Sequence, residues 1–409
     1  FDYLHLIKYI ILILKIYYLV RFEMRNESTQ YRIPLYYLVT SLFWFSLYTY
    51  VPNLSIYAEG LGASHKLIGL ILSSYGFTQM ILRIPLGIYS DTINKRKVFI
   101  LLGILSSLVS ALGMGLFKNP WALLIFRGLS GVAAAAWVPF TVLFSSYFTV
   151  QESSKAMGYI NSFNALGQMV AMLLGGIIAS KLSSQAPFFL AAGVGVVALL
   201  LGTNIVEKEE KREPMKLTQL LGVGKEKQLL IPSSLAVLVQ LLTFASVYGF
   251  TPLAAQKIGA NEFQTGLLTT LSTLPGIFAS AMSGSIFAKK FGERKTLTLG
   301  FLTIALSCSV IPIINNINLL YISQMTGGFA RGVIFSLLMS LSIQSVESHK
   351  RATAMGFFQA IYGIGMFIGP ILVGVISDLV GLSWGFWIIG LVGVIGALLS
   401  FMLIRPYRL

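Results

Sequence analysis

Three arginines stand inside long apolar stretches of the chain: Arg83, Arg127 and Arg331. A charged side chain at the centre of a bilayer costs at least about 2.5–3.5 kcal/mol, so each needs a physical reason to be there. A guanidinium keeps its charge and offers five donors, to an anion or to backbone carbonyls. Left uncompensated, such groups make a cavity positive and favour anionic or electron-rich ligands. Bonded to carbonyls and amides, they only hold helices together. Arg83, two turns from Asp91, reads as structural, whereas Arg127 and Arg331 are candidates for substrate contact or coupling. Amides and a phenol could share their site: Gln79, Asn161, Asn164 and Gln168, then Gln240, Gln324, Gln359 and Tyr362. Trp44, Tyr48, Tyr75, Trp137 and Tyr248 could form an adaptable apolar wall or simply pack. All fifteen acids fall near the ends of apolar runs, in the segments between them or near a terminus, so no carboxylate relay is expected at mid-depth.

Enzyme chemistry finds no support. There is no Gly-Lys-Ser/Thr phosphate loop, and no His, Cys and carboxylate cluster has the spacing of a metal site. The pair Gly363 and Gly365 lies in an apolar run without phosphate-binding context, and Cys308 stands alone. No catalytic residue, metal or cofactor is expected.

The composition says what must position the arginines. Apolar residues make up 56% of the 409 and charged ones 11%, with a mean hydropathy of +0.79. A soluble surface needs roughly 25% charged residues, so most of this surface faces something other than water. Apolar runs of about 20 residues match the bilayer core, and their continuity excludes the alternating strands of a membrane barrel. Helical spans are predicted at Ile33–Pro52, Leu67–Tyr89, Val98–Phe117, Trp121–Leu143, Met157–Ile178 and Pro187–Val206. A second set follows at Ile231–Phe250, Gln264–Phe287, Thr296–Ile314, Leu319–Leu341, Thr353–Ile376 and Ser383–Ile404. The expected organisation is an N-terminal extension and cytoplasmic segment (1–30), a six-helix bundle (31–206), a charged linker (207–230) and a second bundle (231–409). Phe1–Val20 is apolar but contains His5, Lys8 and Lys15, and Met24 lies beyond it. It is expected to stand outside the twelve spans as an upstream extension or an interfacial helix.

Basic residues set the orientation. On this topology 21 lysines and arginines lie on one side, among them Lys95, Arg96, Lys97, Arg294 and most of the linker, against 4 on the other. Both termini are therefore expected in the cytoplasm of a bacterial-type cell, with the protein in the inner membrane. The net charge of +15 reads as topology, not as nucleic-acid binding. The expected partners are the lipid bilayer and a small-molecule substrate, with the chain acting as a monomer.

The chain also repeats itself. AMGYINSFNALGQMVAMLLGGII, from Ala156, returns 198 residues later as AMGFFQAIYGIGMFIGPILVGVI, and Arg96-Lys97 falls opposite Arg294-Lys295 at the same offset. Two parallel copies of a six-helix unit imply a pseudo-two-fold axis along the membrane normal, with a site between them. Asn161 matches Gln359 and Asn164 matches Tyr362, which points these faces toward the shared axis.

From Tyr31 onward the chain resembles the major facilitator superfamily. The resemblance rests on Gly87, Asp91, Lys95, Arg96 and Lys97 after the second span, and on Arg127, Gly131 and Ala133–Ala136 in the fourth. In the fifth span Gly158, Gly167, Gly175 and Gly176 are similar to the spaced glycines of the drug–proton antiporter branch. There Ala171-Met172 replaces the expected Gly-Pro, which stands in the eleventh span as Gly369-Pro370. Thr92 and Asn94 also depart from the loop pattern. The resemblance implies an all-α membrane protein with twelve transmembrane helices as two parallel six-helix repeats. It further implies alternating access, export of small amphipathic molecules, and an ion gradient, here protons, as the drive. Asp91, the basic cluster and Arg294 would latch the halves, and the glycines would serve packing or hinging. Two alternatives stay open: an organic-anion importer or exchanger using Arg127 and Arg331, and a membrane sensor that binds without transport.

Overall fold

In a computed structural model the described residues are 29–93, 95–207, 227–344, 346 and 351–404. The expected N-terminal extension and most of the expected linker lie outside them. The described residues form an all-helical fold of twelve spans, and ten helices among them are long and apolar enough to cross a membrane. We number the spans α1 (Thr29–Tyr48, continued after a break by Val51–Gly60), α2 (His65–Thr92), α3 (Arg96–Leu116), α4 (Pro120–Ser145), α5 (Val150–Lys181) and α6 (Ala186–Gly202). The second set is α7 (Gln228–Lys257), α8 (Glu262–Phe291), α9 (Glu293–Ser309), α10 (Ile317–Gln344), α11 (Arg351–Val380) and α12 (Leu382–Leu403).

Local chemistry sets the helix ends. Asn119 caps α4 by accepting the Trp121 N–H at 2.8 Å, ahead of Pro120 at a position where a missing N–H costs nothing. Asn261 and Gln264 exchange bonds of 2.9 Å each in a capping box that opens α8. Gly62 and Gly259 hold φ of +86° and +89° at the turns into α2 and α8, a region that strains any residue with a Cβ.

The first span is not the single segment the sequence predicts. It breaks at Thr49–Tyr50, where Pro52 enters the first turn of the continuing helix, and it runs on to Gly60. Likewise α4 breaks at Ala136, and both α7 and α8 carry a wider turn, at Ser246–Phe250 and Ser283–Ala288. Hydropathy registers burial in lipid and not backbone continuity, so these interruptions leave no trace in it.

Glycines set the packing inside each half. A Cβ on Gly167 or Gly175 of α5 would lie 2.4 Å or 1.8 Å from the Ser41 or Thr49 carbonyl of α1. The repeat-related contact joins α11 to α7, where a Cβ on Gly365 or Gly369 would meet the Val237 or Leu241 carbonyl at 2.0 Å or 2.5 Å. Without a hydrophobic drive between helices in lipid, such close backbone approach is what holds them. Gly158 differs: open space surrounds it, so the packing role expected for the whole glycine series does not extend to it here.

Candidate functional site

The two halves meet tightly at one end, the end away from Lys95–Lys97 and Arg294. Gly176 of α5 and Gly266 of α8 abut so closely that a Cβ on either would sit 2.7 Å from the other's Cα. Gly69 of α2 faces α11 in the same manner, its Cβ falling 2.4 Å from the Pro370 carbonyl oxygen. Next to these contacts the Thr265 hydroxyl donates to Asn53 Oδ1 at 3.1 Å across the halves.

A polar latch closes the same end. Asp378 of α11 accepts the His65 N–H at 2.8 Å and the Lys66 N–H at 3.0 Å, placing a carboxylate on the exposed donors that begin α2. The His65 ring stands between Asp378 at 3.4 Å and Glu59 at 3.5 Å and carries a charge only when protonated. Because the group is partly solvated, Asp378→Asn is expected to shift the halves toward parting at this end by only about 3–10-fold. Electron-spin distances between labels at Lys181→Cys and Lys257→Cys would report it; an unchanged distribution would remove Asp378 from the latch.

Toward the basic end the helices leave more space. The two helices that abut through Gly176 and Gly266 at the other end are exposed here, α5 at Gly158, Asn161 and Ser162 and α8 at Gly284 and Ser285. Here α2 and α11 stay joined: Arg83 Nη1 donates to the Tyr362 hydroxyl at 3.1 Å, with the guanidinium 6.0 Å from that ring. Arg83 thus joins α2 to α11, as a structural arginine would.

Aromatic side chains close the roof of the central space. Tyr48 meets Tyr248 edge-on at 5.7 Å, and Tyr75 stacks on Phe244 at 6.0 Å, each pair crossing the halves. Trp44 continues the wall to Tyr48 and Trp137 at 5.8 Å and 5.3 Å. Arg127 packs against these rings, buried, its guanidinium 4.3 Å from the Tyr75 ring centroid and 5.7 Å from that of Tyr50. Its Nη1 reaches the Tyr50 and Ser130 hydroxyls at 3.5 Å and 3.4 Å.

In the second half, α7, α8 and α10 form an open cavity of about 350 Å³ lined by Gln240, Thr243, Tyr248, Thr273, Arg331 and Phe335 among others. Gly276, Gly328 and Gly332 bring α8 and α10 together behind it. The cavity therefore gathers three of the residues singled out from sequence, Gln240, Arg331 and Tyr248. Others turn elsewhere. The Asn161 amide bonds the Met157 carbonyl of its own helix at 2.9 Å, and Gln168 bonds Asn164 one turn away. Gln359 is half-buried on α11, one turn from the Tyr362 that Arg83 holds.

Of the cluster expected to latch the halves, the Lys97 and Arg294 side chains make contacts within their own halves in this conformation. The Arg96 and Lys97 N–H groups both donate to Glu207 Oε1, the latter at 3.2 Å, and Lys97 Nζ reaches the Thr203 carbonyl at 2.7 Å. Lys95 is exposed, and Arg294 lies 3.6 Å from the Phe401 ring centroid of α12. Gly87 packs α2 on Val138 of α4, while the side chain of Asp91 is outside the described set. Sequence reasoning passed over Glu59, His65 and Asp378 because acids at span ends look like loop residues. It also passed over Gly69 and Gly266, which stand 197 residues apart and so fall one residue out of register with the 198-residue repeat.

The family model of the Major Facilitator Superfamily matches residues 36–251 and 233–408. The chain is 23% identical over 357 residues to multidrug resistance protein 1 of Bacillus subtilis, covering 85% of this chain and 90% of that one. It is 24% identical over 337 residues to the class B tetracycline resistance protein of Escherichia coli, covering 79% and 82%. Among solved structures, a bacterial homolog of the human lysosomal transporter Spinster, in an inward-facing and occupied conformation, superposes with a TM-score of 0.77 at 14% identity, over 93% of this chain and 98% of that one.

Proposed function

The chain belongs to the major facilitator superfamily, and on that premise we propose that it is a secondary transporter exporting small amphipathic molecules by alternating access in exchange for protons. The observation that carries this reading is the one-sided closure: backbone-to-backbone glycine contacts and the Asp378 latch at one end, exposed residues of α5 and α8 at the other. The basic end faces the cytoplasm by the positive-inside rule, so the site opens inward, as in the inward-facing Spinster homolog. Export is supported by the multidrug and tetracycline resistance relatives, and the proton drive by the spaced glycines of the fifth span. The groups available for coupling to protons are Glu59, His65 and Asp378, on surfaces that separate when the halves exchange partners.

Reconstituted vesicles with an imposed pH gradient test the proposal. Acidifying the compartment on the Asp378 side is expected to drive a lipophilic drug toward that side, with flux collapsing when a proton carrier dissipates the gradient. Flux indifferent to the gradient would overturn proton exchange; binding without flux in either direction would overturn transport.

A further inference from the structure

The two halves use their buried arginines differently. Arg127 and Gln324 occupy matching repeat positions, each four residues before a glycine, Gly131 or Gly328, whose Cβ would meet a carbonyl of α2 or α8, that of Tyr75 or Ser272. The second half thus carries its cation seven residues further along α10, about 10 Å nearer the open end. Arg127 is engaged by Tyr75, Tyr50 and Ser130. Arg331 is 8% exposed, and among the described residues it makes one hydrogen bond, from Nη2 to the Ser272 carbonyl at 3.5 Å, the limit of such a bond. Its Nη1 meets no protein acceptor.

The cavity around Arg331 offers little else to neutralise it. Among the described residues that line it there is no carboxylate. The Thr243 and Thr273 hydroxyls give their protons to the Val239 and Thr269 carbonyls, at 2.7 Å and 2.9 Å. Arg331 and the Gln240 amide are thus available to donate to a ligand. The rest of the wall carries apolar Val247, Ile277, Phe335 and Met339 beside Ser272, Ser280 and Ser336, whose hydroxyls already donate to the Thr269, Ile277 and Ser280 carbonyls. A buried cation without a partner is costly, and a planar carboxylate satisfies a guanidinium with two parallel bonds. A cavity of about 350 Å³ is of ligand size.

We propose that this cavity is the subsite for the anionic head of an amphipathic weak acid, an aromatic carboxylate held by Arg331, and that it rejects lipophilic cations. This deepens the transporter reading and rests on it for its role, but the binding itself requires no flux.

The test compares three probes sharing one ring system, by calorimetry on the full chain in lipid nanodiscs, with protein-free nanodiscs as reference. They are naphthalene-2-carboxylate, naphthalene-2-carboxamide and naphthalen-2-ylmethylammonium. The carboxylate is expected to bind about tenfold or more tighter than the amide, and the ammonium more weakly than either. This ranking needs no variant and so is independent of whether a substitution folds. Arg331→Gln is expected to remove the preference by weakening the carboxylate about tenfold while leaving the amide within about threefold, whereas Arg331→Lys keeps part of it. An ammonium that matches the carboxylate, a preference that survives Arg331→Gln, or no carboxylate binding above protein-free nanodiscs would each overturn the proposal. Loss of pH-driven flux with this ranking intact would instead overturn the exporter reading alone.

Discussion

Gly266→Leu is expected to reduce transport about 100-fold while both six-helix halves remain folded. A Cβ at this position would stand 2.7 Å from the Gly176 Cα and 2.9 Å from the Met172 carbonyl, so the obstacle is backbone on a facing helix and cannot rotate away. The reciprocal contact is as close, since a Cβ on Gly176 would lie 2.8 Å from the Glu262 carbonyl. Overpacking typically costs about 1–3 kcal/mol, and here the strain is relieved by parting the halves, not by unfolding either one. About 2.7 kcal/mol against the closed arrangement lowers its population about 100-fold. Spin labels at Lys181→Cys and Lys257→Cys should then report a longer distance than in the unaltered protein. Gly193→Leu, on the exposed face of α6 with nothing within 4 Å, serves as the control and should change neither flux nor distance. Normal flux in Gly266→Leu would show that this glycine contact does not set the closed state.

Arg127→Gln is expected to be the most damaging single change inside the first half. The guanidinium lies 4.3 Å from the Tyr75 centroid and is buried, a setting in which a cation–π contact is worth about 2 kcal/mol or more. Glutamine removes that contact and leaves the Tyr50 and Ser130 hydroxyls with a shorter, weaker partner. A loss of about 2 kcal/mol in stability is expected, with flux reduced at least about tenfold because Tyr75 also stacks on Phe244 of the opposite half. Arg127→Lys keeps the charge but not the planar face, and should fall between the two. Thermal unfolding and flux measured together check this. An unchanged unfolding temperature in Arg127→Gln would mean that the stacked geometry contributes nothing to stability.

These two sites were legible in sequence to different degrees. The arginines announced themselves, because a charge in an apolar run is costly wherever its partner lies. What they touch did not. Arg83 finds Tyr362 at a separation of 279 residues, and nothing local distinguishes the ring-stacked Arg127 from the under-bonded Arg331. The glycine series was visible as a repeat, yet Gly167 packs inside its own half, Gly176 packs across halves and Gly158 touches nothing. One residue type at regular helical spacing therefore serves three environments. Asn161 and Asn164 matched second-half polar positions in the repeat, but Asn161 bonds along its own helix and Asn164 pairs with Gln168 one turn on.

By itself the sequence determined the spans, their pairing into two parallel sets and the basic end, since hydropathy and charge act residue by residue through transfer between water and lipid. Tertiary structure decided which end is closed, where α1 and α4 break, and which arginine lies on an aromatic ring and which lines a cavity. The reason is distance along the chain: Asp378 caps α2 across 313 residues, and Thr265 bonds Asn53 across 212. Such contacts exist only once two separately encoded bundles have met.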